Sequence, residues 1–328
     1  MALFALGYAL LQFPFDILGG YILPKRYGRM PFESPRFMVG LFRGMAVHMA
    51  IWLVCGSLIM AAGGIAGFGG TVATGFVLVV LLLATRTTIA SLMSTVRFKL
   101  AQPNKVLRND APSLLLAECD DEGFTGGITG VLNPVAHVLP ERWQERLGPS
   151  GFELALRRRR EAVDSGSWRR GRALAVTFTL IGLAVSAWLA GPDRLGTLAG
   201  TAALSLWFSL WSFLGLLVLP TFSRSGVVEV DQRLRRAGYP NDLIEQTTRR
   251  LDGMQDDEQD RPPLVEAIFH PIPSVSNRLQ GEGRRRVFGA WDAARTAIFL
   301  SFAGVGLLGR AVHCNCGRPA LWAMLPTD

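Results

Sequence analysis

The sequence predicts a mainly α-helical, polytopic membrane protein. Three observations carry that expectation. Apolar residues, 49% of the 328, gather into runs instead of spreading through the chain. The runs cover residues 2–23, 45–63, 72–93, 173–191, 197–220 and 293–309, close to the ~20 helical residues that a hydrocarbon core requires. The basic residues fall in alternate connectors, the distribution expected of a chain threaded back and forth through a bilayer.

The first run is interrupted by Pro14, Asp16 and Gly19-Gly20. It lacks the basic start and small-residue cleavage site of a signal peptide, so it reads as a retained segment, spanning or re-entrant. Asp16 is costly in lipid and is expected to face protein or the interface. Runs 45–63 and 72–93 are joined by the glycine-rich stretch Gly63 to Gly70, which predicts a tight turn and a hairpin. His48 is a candidate as an intramembrane histidine, although a place near a helix end equally suits headgroups. Runs 173–191 and 197–220 form a second hairpin, turned at Gly191-Pro192, with Pro220 expected to end its second helix. Residues 293–309 are expected to make a last spanning helix.

Basic residues mark the other connectors. Lys25, Arg26, Arg29, Arg36 and Arg43 follow the first run; Arg97, Lys99, Lys105, Arg108 and the arginines from Arg157 to Arg172 follow the first hairpin. Arg224, Arg233, Arg235, Arg236 and Arg284 to Arg286 follow the second, whereas connectors 64–71 and 191–196 carry only Asp193 and Arg194. If the first run spans, all basic connectors share one side, which is expected to be the cytoplasmic face of a bacterial inner membrane. This topology accounts for the net charge of +8. With no aromatic-interleaved basic patch or nucleic-acid motif, nucleic acid is excluded as a partner, and the lipid bilayer is the expected one.

Connector 94–172 begins as a continuation of the preceding helix through Thr95 to Leu107, up to Pro103. Glu118, Asp120, Asp121 and Glu122 then precede Phe124-Thr125-Gly126-Gly127-Ile128-Thr129-Gly130, read as a solvated acidic loop and a glycine turn. No phosphate-binding Gly-x-x-x-x-Gly-Lys-Ser/Thr is present. Helix is expected again near 140–147 and 151–164, and in the second connector at 227–237 and 240–252. Cys55, Cys119, Cys314 and Cys316 make no disulfide framework. His313-Cys314-Asn315-Cys316 offers three soft ligands, too few for a closed zinc site. The expected organisation is an N-terminal segment with a hairpin (1–93), a central region (94–288) holding a second hairpin (173–220), and a last helix with a short tail (289–328).

Several stretches of the central region, in order, resemble the HtpX and CAAX-prenyl-protease family of integral-membrane zinc metallopeptidases. Leu139 to Leu147 and Phe152-Glu153-Leu154 look like the approach to that family's His-Glu-x-x-His helix, and Arg160-Glu161-Ala162-Val163-Asp164 falls on the motif. The second hairpin follows at the family's position. Ser223-Arg224-Ser225-Gly226-Val227-Val228-Glu229-Val230-Asp231 looks like the Ser-Arg-x-x-Glu-x-x-x-Asp segment that supplies the third ligand. His270-Pro271-Ile272-Pro273-Ser274 with Arg278 looks like the closing signature. The resemblance implies a peptidase-like helical region on the cytoplasmic side, built around a transmembrane hairpin.

It also implies a degenerate site of Arg160, Glu161, Asp164, Val227 and Asp231. Arg160 and Asp164 replace the two histidine ligands, Val227 replaces the glutamate, Glu161 keeps the general-base position, and Asp231 remains. Glu229 is displaced by about 200° around the helix. A catalytic zinc takes three protein ligands and a water, so no zinc cofactor is expected. Arg160 and Asp164, one turn apart, are expected to pair in the vacated space. The function implied is binding of a membrane protein or peptide client without hydrolysis. Two alternatives stand. One is an active peptidase in which Glu161, Asp164, Glu229 and Asp231 converge on a hard cation. The other is a transporter or channel component, for which the spans offer only sparse charge: Asp16, Arg86, Asp292 and Arg295.

Overall fold

The computed structural model describes residues 1–28, 33–101, 114–131, 134–255, 257–280, 288–310 and 315–326. In chain order its helices are α1 (Ala2–Ile17), α2 (Leu23–Arg26), α3 (Ser34–Met93), α4 (Trp143–Arg146), α5 (Gly148–Asp164), α6 (Ser167–Ala190), α7 (Leu198–Arg236), α8 (Asn241–Gln255), α9 (Pro263–Phe269), α10 (Val275–Leu279), α11 (Ala293–Leu300) and α12 (Ala320–Ala323). Among the described residues, four short strands, β1 (Arg97–Leu100), β2 (Leu114–Glu118), β3 (Gly127–Thr129) and β4 (Ala136–Pro140), lie between α3 and α4. The chain divides into two compact units, each assembled from separate stretches.

The first unit comprises Met1–Thr95, Val176–Leu214 and Ala297–Ala323. Among the described residues, four helices are long and apolar enough to cross a membrane: Ala2–Arg26, Ser34–Met93, Ser167–Ala190 and Leu198–Arg236. The 60-residue α3 is two limbs of a hairpin. Its backbone leaves helical geometry at Ala66 and Gly67, and Gly67 takes φ 55°, a value glycine adopts without a Cβ penalty. Arg43 on the first limb donates to the carbonyls of Leu92 (2.9 Å) and Ser91 (2.8 Å) on the second, so the limbs run back alongside each other.

Residues 293–309 depart from the expected spanning helix. They form the eight-residue α11, a 3-10 turn at Ser301–Gly304 and a second at Leu308–Arg310. Phe299, Leu300, Phe302, Ala303 and Val305 are fully enclosed. A run this apolar reads as lipid-facing by hydropathy, yet protein can supply the same surroundings.

The second unit comprises Val96–Ala175, Gly215–Thr296 and Met324–Asp328. Helix was expected to continue past residue 94, but α3 ends at Met93 and β1 follows at once. The strands form a sheet in the order β1-β2-β4-β3; β2 and β4 are parallel and the other pairs antiparallel. Arg97-Phe98-Lys99-Leu100 alternates polar and apolar residues, the period of a strand. Gly126 enters β3 at φ 73°, and a Cβ there would lie 2.2 Å from the Val138 carbonyl oxygen. The glycine-rich stretch is therefore the lead-in to a strand.

On the covering face, Leu114 and Leu139 pack with Trp143, Leu147, Ala155, Leu156 and Leu251. Ile128 and Val135 pack with Ala162, Trp168, Val227, Val230 and Trp291. Pro220 was expected to end its helix, but α7 continues through it to Arg236, carrying the helix directly into the region that holds Val227 and Asp231.

Candidate functional site

Helices α5 and α7 pair in the second unit with a defined antiparallel register. Leu154 shares an apolar cluster with Leu234, Arg158 bonds to Asp231, and Ala162 shares a cluster with Val227. Each step of four residues up α5 is matched by a step of three or four down α7, which is one helical turn on each. The face that α5 turns toward α7 is thus Leu154, Arg158 and Ala162.

This register revises the expected site. Val227 and Asp231 do face α5, but the residues opposite them are Ala162 and Arg158. Arg160 and Asp164 lie two residues further along, about 200° around the helix. Asp164 is exposed and Arg160 half-buried. No ion pair joins them, and Arg160 leaves two guanidinium nitrogens without a hydrogen-bond partner. Burial, with the Arg157 charge next, draws the Arg160 guanidinium below the usual arginine range, against a smaller pull from Asp164. Glu161 pairs with Arg157 one turn earlier.

Asp231 is the centre of the arrangement. Its carboxylate, 2% exposed, accepts from Arg158 Nη1 at 2.5 Å, and from Arg278 Nε at 2.9 Å and Nη2 at 3.3 Å. Arg278 lies on α10, so this one carboxylate ties α5, α7 and α10. The segments 223–231 and 270–278, far apart in the sequence, meet at a second point. There Arg224 Nη1 donates to the carbonyls of Glu266 (2.8 Å), Ala267 (3.0 Å) and His270 (2.8 Å). His270 is buried and Pro271 half-buried. Ser274 caps α10 by accepting from the Asn277 amide, and its own amide donates to Glu266 at 3.2 Å.

Arg159, in sequence one of four consecutive arginines, is fully buried. It donates to the carbonyls of Thr125 (2.6 Å), Gly127 (3.3 Å) and Val138, and stacks over Trp143 with 5.5 Å to the ring centroid. Arg172 reaches the Gly130 carbonyl. These two arginines bind the carbonyls of the strand β3 region. The legible signal for Arg158 was the i, i+4, i+8 spacing of Leu154, Arg158 and Ala162, which puts all three on one stripe.

The convergence of four carboxylates on a cation is overturned. Glu229 pairs instead with Arg170 (2.7 Å) and Arg233 (3.7 Å), Glu161 with Arg157, and Asp231 with Arg158 and Arg278. Among the described residues no three His, Cys, Asp or Glu side chains group in a way that could hold a metal ion. His313 and Cys314 lie outside the described residues; Cys316 Sγ accepts from Gln12 Nε2 at 3.7 Å.

The residues present do not fit a catalytic zinc. Ala162 and Val227 offer no donor atom, and a guanidinium has no lone pair to give and remains protonated. Both oxygens of Asp231 are engaged by arginines.

The chain is similar in fold to S. mikatae Ste24p. The match has a TM-score of 0.67 and 12% sequence identity, and covers 86% of this chain and 74% of that one. At that identity the likeness is one of fold. No protein-family model matches the sequence, and no curated protein does. A mainly helical polytopic membrane architecture of the Ste24p type is therefore the frame in which α5, α7 and α10 meet.

Proposed function

We propose that this chain is a metallopeptidase-like membrane protein that does not hydrolyse peptides through zinc, and that it acts by binding a membrane protein or peptide. Ste24p is of the CAAX-prenyl-protease type, the type that the segments 139–164, 223–231 and 270–278 resemble. The observation that carries the reading is the Asp231 carboxylate held between Arg158 and Arg278, beside the apolar pair Ala162 and Val227. Where a metal-dependent hydrolase needs lone pairs and an open water position, this helix pair presents fixed cations and methyl groups. The basic connectors lie on the cytoplasmic side of a bacterial inner membrane in this reading. Two of the charged residues in the spans are engaged within the fold: Asp16 pairs with Arg310, and Arg86 donates to the Ala323 carbonyl at 2.8 Å.

The test is metal analysis and peptide cleavage by the full chain purified in detergent. Substoichiometric zinc and no chelator-sensitive cleavage of a prenylated peptide are expected. Stoichiometric zinc with chelator-sensitive cleavage overturns the reading. The register is tested separately. The variant Arg158→His, Ala162→His, Val227→Glu is expected to gain a zinc-dependent rise in melting temperature. The variant Arg160→His, Asp164→His, Val227→Glu is expected to gain none, and the reverse outcome restores the register read from the sequence.

A further inference from the structure

The first unit contains an irregular stretch whose surroundings are built to receive it. Residues 297–310 and 315–323 are almost wholly buried, yet only 297–300 and 320–323 of them are α-helical, the rest being 3-10 turns and irregular backbone. Irregular backbone at membrane depth is tolerated only where protein satisfies its polar groups, and here side chains of three helices do so. The Val305 carbonyl accepts from Trp52 Nε1 on α3 (3.0 Å) and from the Ser205 hydroxyl on α7 (2.6 Å). The Leu307 amide donates to the Ser209 hydroxyl (3.0 Å), and its carbonyl accepts from the Tyr8 hydroxyl on α1. The Ala323 carbonyl accepts from Arg86. Val305 itself is held at φ 58°, a left-handed conformation strained for a β-branched residue.

One charged contact fastens the stretch to α1. Asp16 and Arg310 are both 0% exposed and lie 2.8 Å apart. The other Asp16 oxygen accepts from the Gly317 amide at 2.8 Å, and Arg310 stacks over Tyr8 and Trp322. The approach is close enough that a Cβ on Gly20 would lie 2.5 Å from the Gly317 carbonyl oxygen.

We propose that the helices of this unit form a binding site for an irregular apolar peptide backbone, filled in cis by residues 297–310 and 315–323 as a releasable plug, with Asp16–Arg310 as its latch. The donors and acceptors lining the site are aimed at main-chain atoms, so they select an irregular backbone rather than a particular side chain. The strain at Val305 and the dependence of the stretch on a few side-chain bonds make it easier to release than a spanning helix. The inference does not depend on the loss of zinc.

The latch has a sharp electrostatic signature. Asp16→Asn keeps an acceptor for Gly317 but strands the buried Arg310 charge, whereas Asp16→Asn with Arg310→Met removes both charges. Breaking one partner of a buried pair is costly, and removing both is nearly neutral. Maleimide labelling is read at Cys55, which is 3% exposed on the same α3 face as Trp52, with the other cysteines replaced by serine. Labelling is expected to accelerate on the order of a hundredfold in the single variant and to return to the slow rate in the double. Addition of a synthetic peptide of residues 297–310 is expected to protect Cys55 again in the single variant.

A second readout uses proximity. A Cβ on Gly19 would lie 3.0 Å from the Cys316 Cβ. Gly19→Cys, with Cys55, Cys119 and Cys314 replaced, is expected to form a disulfide with Cys316 in membranes when copper phenanthroline and oxygen are supplied to take up the two electrons, and to lose most of it with Asp16→Asn. Thr179→Cys on α6, buried in the same unit, reports unfolding of the whole unit and is expected to stay slow to label. The proposal is overturned if Asp16→Asn leaves Cys55 and the cross-link unchanged, if the double variant stays as open as the single, if the peptide gives no protection, or if Thr179→Cys labels as fast as Cys55.

Discussion

Neutralising Asp231 should loosen the second unit far more than removing either arginine that contacts it. Asp231 and Arg158 are each 2% exposed and Arg278 is 4% exposed, so solvent does little to screen the group. Asp231→Asn leaves two buried guanidiniums facing each other across an amide. Breaking a buried pair in this way costs about 3–5 kcal/mol, a shift of roughly two to three and a half powers of ten in the opening equilibrium. Arg158→Met is milder, because Arg278 still holds Asp231 through Nε at 2.9 Å and Nη2 at 3.3 Å. Its cost should fall at about 1–3 kcal/mol, the price of one lost charged hydrogen bond. Replacing Arg158, Asp231 and Arg278 together by methionine should recover most of the loss, since apolar residues of similar volume carry no desolvation penalty. Native-state hydrogen exchange on peptides from α5 and α7 reads these differences as opening free energies. The reasoning fails if Asp231→Asn costs less than about 1 kcal/mol, or if Arg158→Met costs as much as Asp231→Asn.

Two further outcomes follow from the second unit. His137 on β4 is buried, and that burial, with the Arg159 and Arg160 charges next, pulls its imidazole down to about 4. The folded state therefore favours neutral His137. The contribution is full above the unfolded value of about 6.5 and is lost as pH falls toward 4, at up to about 1.4 kcal/mol per pH unit. His137→Gln should flatten that limb in a pH series of thermal unfolding, and an unchanged slope would show that other groups cause it. Gly226→Ala places a Cβ 2.4 Å from the Trp291 amide nitrogen, a backbone atom that cannot swing aside. It should cost about 1–3 kcal/mol by overpacking. Gly40→Ala in α3 meets nothing within 4 Å and should be neutral or stabilising in the same melting assay.

Segments of the site were legible to different depths. Asp231 and Arg278 stand in separate stretches of the sequence, and the structure joins them through one carboxylate. Arg160 and Asp164 occupy the motif's places in residue order, which does not fix helix rotation; the packing of α5 presents residues two positions earlier, about 200° away. Arg159 reads in sequence as one more charge in a juxtamembrane belt. Its burial follows from carbonyls at Thr125, Gly127 and Val138, which come from a sheet whose strands of three to five residues leave little periodic signal.

What the sequence determined by itself was the membrane architecture. Transfer of apolar runs out of water depends on composition and length, so α1, the α3 hairpin, α6 and the first part of α7 are written in the hydropathy. A helix was likewise determined at 151–164, because its apolar spacing is local; the structure starts it three residues earlier, at Gly148. Tertiary structure decided everything that depends on which residue faces which. The pairing of Leu154, Arg158 and Ala162 with Leu234, Asp231 and Val227 comes from the packing of α5 on α7, and a rotation of that packing would choose other residues from the same sequence. Residues 293–309 carry the hydropathy of a spanning helix, yet they fold inward because protein side chains, and not lipid, meet their backbone. Hydropathy measures the cost of leaving water; it does not distinguish lipid from protein as the destination.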